Sequence, residues 1–246
     1  PDEYDDFFGF DYQYLALAKS DPFRQKTVNE AINPFFFALN KDDLKVPPPE
    51  PDDVTSCTCQ ENEDDKELMA MLYRHYRNNI LLLYVRLIQA SSNPGLLLKD
   101  IDESALGEEE DDDYYQKMIG NDRDGLTEKE AAFVENLPMG QKFYKGIDLV
   151  SQLTSQHEQV MVWALFVDTI EKIASTLKNR GINCRVIYGA VPLEERTKIV
   201  DDYVNKRFDV LIANPNTLAE SVSLHKNCHH AVYFEYSFNL VHMLQS

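Results

Sequence analysis

The sequence predicts an α/β protein whose C-terminal part is an open, doubly wound parallel sheet, preceded by a largely helical region. Three observations predict it. Short runs at 159–166, 184–188, 208–213 and 231–235 are apolar, rich in β-branched and aromatic residues, and too short for helices. Helix-length stretches lie between the first three runs, the alternation of a parallel sheet with crossover helices. Before residue 138 the pattern is different, with long helical periods, a Pro-rich run and an acidic run. The chain therefore reads as two parts, 1–137 and 138–246.

Charge divides along the same line. The chain holds 42 acidic and 24 basic residues, a net charge of −18. Residues 138–246 carry 11 of each sign, so the whole imbalance lies in 1–137. Acidity thus argues nothing against a nucleic-acid partner for the C-terminal part, and it removes the N-terminal part as the gripping surface. Four cysteines are too few for a disulfide framework and point to a reducing, cytoplasmic compartment. No apolar run has the length of a membrane span, and the first residues lack a basic signal-peptide region. The first residue is not Met, and the chain is expected to be a piece of a longer protein.

Taken in order, residues 1–20 predict one short helix. Asp21 and Pro22 then mark the start of a second, as N-cap and first helical residue, with Asn33-Pro34 as its stop. The Pro-rich stretch to Asp53 is extended, and Val54–Cys59 reads as an edge strand. Asp64–Ser91 has apolar residues at helical spacing and no Gly or Pro, which predicts one long helix ending at Asn93-Pro94-Gly95. Asp102–Asp113 reads as a solvated loop, with a DNA-mimicking regulatory tail as the alternative. Lys142–Leu153 is the next helix. Asp168 is expected to cap the helix after the first strand, with Glu171 completing a capping box and Gly181 closing the helix. Pro192 suits the first turn of a helix running to about Asn205.

In an open parallel sheet, ligands bind just beyond the carboxyl ends of the strands. Gly189 follows the second strand, where it lets the chain turn, and Arg196 on the following helix is placed to approach a phosphate. The alternative for Arg196 is a surface ion pair with Glu194, Glu195, Asp201 or Asp202. After the third strand, Asn214–Ser221 offers backbone N–H groups, amides and hydroxyls of the kind that hold phosphates. His225, Cys228, His229 and His230 lack a second pair of ligands at zinc spacing, and 120–131 lacks the first and last carboxylates of a calcium loop. No metal site is expected. The sequence contains neither a Gly-x4-Gly-Lys-Ser/Thr loop nor Asp-Glu-x-His, so no catalytic residue is assigned and the chain is not expected to hydrolyse ATP alone.

The order of these features resembles the second lobe of Swi/Snf-type superfamily-two helicase-like ATPases, in a form similar to bacterial members. Ala219-Glu220-Ser221-Val222-Ser223-Leu224 stands in the Gly-Glu-Gly-Leu-Asn-Leu slot of motif V, with small residues replacing both glycines. Glu235 takes the Asp slot of Asp-x-x-Trp-Asn, Phe238-Asn239 the Trp-Asn slot and Gln245 the Gln slot. Gly189 to Arg196 matches the Gly-x6-Arg of motif IVa, and Lys41 and Leu44 match the segment joining the two lobes, where Ala38 and Asn40 stand in place of basic residues. The resemblance implies a RecA-like fold with a helical linker or protrusion before it, and the nucleotide-binding, DNA-binding half of a hydrolase and translocase. It implies Glu220 and Ser221 at the nucleotide cleft, and Arg196, Asn214, Gly189 and Thr169 at DNA phosphates. ATP and Mg²⁺ would be bound mainly by a first lobe, and the implied partners are that lobe and double-stranded DNA. Two rivals remain, an RNA helicase lobe and a degenerate RecA-like interaction domain.

Overall fold

The computed structural model describes residues 21–32, 55–101, 126–218, 224 and 228–236. The chain divides into two compact units, 1–55 and 56–246. In the first, α1 spans Pro22–Ile32, and Asp21 Oδ1 accepts the Phe23 N–H at 3.0 Å, as the Asp-Pro start predicts. The expected helix in 1–20, the Pro-rich stretch and the acidic run lie outside the described residues.

The second unit opens without the expected edge strand. Residues 55–60 have no regular structure, and Cys57 and Cys59 are exposed free thiols. The single helix expected over 64–91 is two: α2, Glu63–Tyr76, and α3, Ile80–Ser92. The break follows from Asn79, whose extended backbone (φ −130°, ψ 92°) and side chain accepting the Leu82 N–H make it the N-cap of a new helix. Asn62 caps α2 in a reciprocal box with Asp65. A 3₁₀ turn at Pro94–Leu98 follows α3, and α4 spans Glu128–Glu135 behind a Thr127–Glu130 capping box. Leu68, Met71, Leu72, Leu82, Val85, Leu96 and Val134 bury one apolar core from these pieces. Buried Arg86 organises it by donating to Gln89 Oε1 and to the carbonyls of Leu96 and Lys99.

The sheet follows α5, Gln141–Ser155. Its elements alternate as predicted: β1 Gln159–Trp163, α6 Val167–Asn179, β2 Cys184–Ile187, α7 Leu193–Val204, β3 Val210–Ala213, a short turn of helix at Pro215–Leu218, and β4 Cys228–Tyr233. The order is β2-β3-β1-β4, with every pairing parallel. The two central strands are wholly buried and read as continuous apolar runs, whereas the outer two mix buried and exposed positions. Side chains alternate between two cores. Val160, Val162, Val210 and Ile212 pack with Phe143, Ile147, Ile170 and Ile173 of α5 and α6. Met161, Trp163, Leu211 and Ala213 pack with Ile199 and Tyr203 of α7. Gly181 closes α6 with φ +79°, a left-handed conformation that glycine adopts freely.

Asp168 does not cap α6. The cap position is Phe166, and Asp168 sits in the first turn, paired with Lys99 at 2.6 Å. Glu171 completes no box; its carboxylate lies near Tyr188 and pushes that phenol above its ordinary range.

Candidate functional site

All four strands point their carboxyl ends to one edge, where the chain segments after them meet: 164–166, 188–190, 214–218 and 234–236. The middle of this edge is tied together at one residue. Leu165 donates its N–H to Glu235 Oε2 at 2.7 Å and receives Asn214 Nδ2 on its carbonyl at 2.6 Å. The turn after the central strand is thus held from both neighbouring strands by side chains. Asn214 also accepts the Asn216 N–H at 2.8 Å, and its own N–H reaches Ile187 O. A single buried amide therefore orders the ends of β1, β2 and β3 together.

Glu235 is 1% exposed. Its carboxylate accepts from Leu165 N, from Phe166 N at 3.3 Å and from Ser92 Oγ. Burial pushes this carboxyl above the usual carboxylate range, opposed by those hydrogen bonds and by the charge of Lys142. When protonated, the carboxyl donates to Ser92 Oγ, and the serine proton turns to Ile88 O, 3.0 Å away. Lys142 reaches Ser91 Oγ at 3.1 Å, and burial lowers its pKa. Sequence reasoning placed Glu235 in a motif slot but gave no sign of Ser92 or Lys142, which are distant in sequence.

The corner after β2 is built differently. Gly189 is exposed, has no positive φ, and a Cβ added there meets nothing within 4 Å. The turn does not depend on glycine's backbone freedom, contrary to the expectation; the residue leaves open space. Arg196 folds back over the corner, with Nε donating to Val191 O at 2.6 Å and Nη2 to Gly189 O at 2.7 Å. Asp202 pairs with Arg207, and Arg196 contacts no carboxylate among the described residues. The guanidinium is held half-exposed at the ligand edge by backbone carbonyls, which leave its charge unneutralised.

Thr169 has no solvent exposure, and its hydroxyl has no hydrogen-bond partner among the described residues. A DNA-phosphate contact expected of it does not reach the surface, because α6 turns this face into the core. Glu220 and Ser221, like Phe238, Asn239 and Gln245, lie outside the described residues. Among the described residues no three His, Cys, Asp or Glu side chains converge as a metal site, and no helix is long and apolar enough to cross a membrane.

Comparison with known proteins identifies this sheet. Residues 142–246 match the family described as helicase conserved C-terminal domain. These residues, which include the parallel sheet, are similar to that family. The wider chain shares the fold of Swi/Snf-type ATPase C-terminal lobes. It superposes on the C-terminal part of the Fun30 ATPase domain with a TM-score of 0.53 at 15% identity, covering 79% of each chain. The Sulfolobus solfataricus SWI2/SNF2 ATPase core domain gives 0.50 at 14% identity, over 94% of this chain and 44% of that one. The same core in complex with dsDNA gives 0.50 at 16% identity, over 93% and 45%. The chain thus spans less than half the length of the Sulfolobus cores. No curated protein sequence matches it. The matched residues take in the all-parallel sheet and α5, and the helix pair α2–α3 precedes them.

Proposed function

We propose that the chain supplies the second RecA-like lobe, with its preceding helical protrusion, of an ATP-dependent double-stranded-DNA translocase of Swi/Snf type. The observation that carries this reading is the Arg196 corner, a half-exposed guanidinium held by backbone carbonyls at the ligand edge of a helicase C-terminal domain. Such a group suits a phosphate because it is preorganised and permanently charged. It reads no bases, as a motor that must advance over any sequence requires. Asn214 supports the edge from beneath, since its amide is engaged by Leu165 and Asn216. The Sulfolobus core in complex with dsDNA supports duplex DNA as the partner class.

Glu220 and Ser221 follow the ordered 214–218 turn and are proposed to face a nucleotide cleft shared with a first lobe. ATP brings the reacting phosphates, and Mg²⁺ is proposed to arrive with them and to be held chiefly by that lobe. In this chain the Asn214 brace fixes where the loop leaves the sheet. Closing the cleft around nucleotide while Arg196 holds one phosphate, then reopening it, moves the two lobes along the duplex.

The test is nucleotide turnover in the intact protein. Glu220→Ala is expected to lower DNA-stimulated ATP hydrolysis by roughly tenfold or more while DNA affinity stays within about twofold of wild type. DNA-stimulated turnover unaffected by Glu220→Ala would refute the cleft assignment. Stimulation by RNA alone would place the chain in an RNA helicase.

A further inference from the structure

The helix pair and the ligand edge share two residues. Leu165 and Phe166 leave the end of β1 and are 1% exposed, and their side chains lie in the core formed by α2, α3, the 3₁₀ turn and α4. Their backbone N–H groups turn the other way, to Glu235 at the end of β4. The other Glu235 oxygen meets Ser92, the last residue of α3 and itself without solvent exposure. One carboxylate therefore joins the end of the helix pair, the turn after the central strand and the end of an outer strand. From Leu165 the chain of contacts continues through its carbonyl to Asn214, and through Asn214 to the 214–218 turn.

We propose that Glu235 is a positioning residue that couples the helix pair to the ligand edge, so that displacement of α3 is transmitted through residues 165–166 and Asn214 to the 214–218 turn. The physical reason is the absence of slack. Buried N–H groups and a buried carboxylate must stay paired, because leaving one unsatisfied is more costly than moving its partner with it. Asn214 and Leu165 are also buried. A protein or nucleic acid that shifted the helix pair would alter the geometry of the edge without touching it. The link stands on these contacts alone; its effect on ATP turnover rests on the function proposed above.

The test is amide hydrogen exchange on this chain, with two variants. Ser92→Ala removes only the α3 end of the link and changes side-chain volume little. Glu235→Gln keeps the joint, since its amide oxygen accepts from Leu165 N and its NH₂ donates to Ser92 Oγ. The expected result for Ser92→Ala is exchange about tenfold faster at Leu165, Phe166, Asn214 and the amides of 216–218, with Leu211 and Ile212 in β3 unchanged. Glu235→Gln is expected to stay within about twofold of wild type at all of them. Unchanged rates at 165–166 in Ser92→Ala, or equal acceleration throughout β3, would overturn the coupling. In the intact protein Ser92→Ala is further expected to lower the kcat for ATP with DNA affinity unaltered. Local acceleration with wild-type turnover would uphold the link and count against the cleft assignment.

Discussion

The turns after β1 and β2 belong to the same sheet edge and are held in opposite ways. At the end of β1, Leu165 and Phe166 are buried and are pinned by Glu235 from one neighbouring strand and Asn214 from the other. After β2, Gly189 is exposed with open space before it, and its carbonyl is held by Arg196 from seven residues ahead. The first arrangement ties its amides to buried side chains and fixes the frame. The second presents charge to solvent and gives up little burial to do so. A mutation at the first should therefore be read in stability, and a mutation at the second in binding.

The largest effect is expected at Glu235. Glu235→Ala leaves two buried N–H groups without an acceptor and should destabilise the chain by about 2–4 kcal/mol in urea unfolding. Glu235→Gln should cost well under half as much, because its amide re-forms the pairs. Equal losses for the two would mean that charge, not pairing, holds this turn.

Next comes Gly146, in α5, where an added Cβ would lie 2.4 Å from the ring of Phe234. Phe234 is buried and packs edge-on against Phe143, so it has little room to move. Gly146→Ala should cost about 1–3 kcal/mol despite the better helix propensity of alanine. A stabilising outcome would show that β4 ends more loosely than this packing implies.

Acid separates the helical region from the sheet. Glu130 has its pKa lowered from 4.5 to about 2, first by its hydrogen bond with Thr127 and then by the contact with His75. Its folded pKa lies below the unfolded value, so its contribution is complete above about pH 4.5 and is lost as pH falls toward 2. Burial shifts Glu235 the other way, so its carboxylate costs stability as pH rises above the unfolded value. Glu130→Gln should flatten the loss of stability between pH 4.5 and about 2, as followed by circular dichroism.

Much of the sheet was legible because its signals are local. The Val and Ile runs of β1 and β3, Pro192 before α7 and Gly181 after α6 each act within a few residues. The break between α2 and α3 was equally local. The Asn78-Asn79 pair is a capping signal inside a strongly periodic stretch, and the apolar period concealed it. The pinned turn was not legible. Asp168 has the chemistry of an N-cap, yet Glu235, 70 residues after Leu165, holds the N–H groups just ahead of α6, and Lys99 takes the aspartate. Gly146 gained meaning only from Phe234, and Thr169 lost its expected role because its helix face is buried. At the exposed corner the structure brings Arg196 beside Gly189, seven residues before it.

The smallest stability effect is expected at Gly189, where alanine meets no atom and should change unfolding free energy by less than about 0.5 kcal/mol.

Arg196 tests the comparison most directly, because it is predicted to matter for binding and not for the frame. The measurement is the salt dependence of duplex-DNA affinity for the intact protein and its Arg196→Ala variant. Loss of one phosphate contact should weaken binding to all sequences alike and lower the slope of log K against log salt by about one unit. An unchanged slope and affinity would make Arg196 a brace for its own corner, and would contradict the reading of this edge as the DNA-facing side of the lobe.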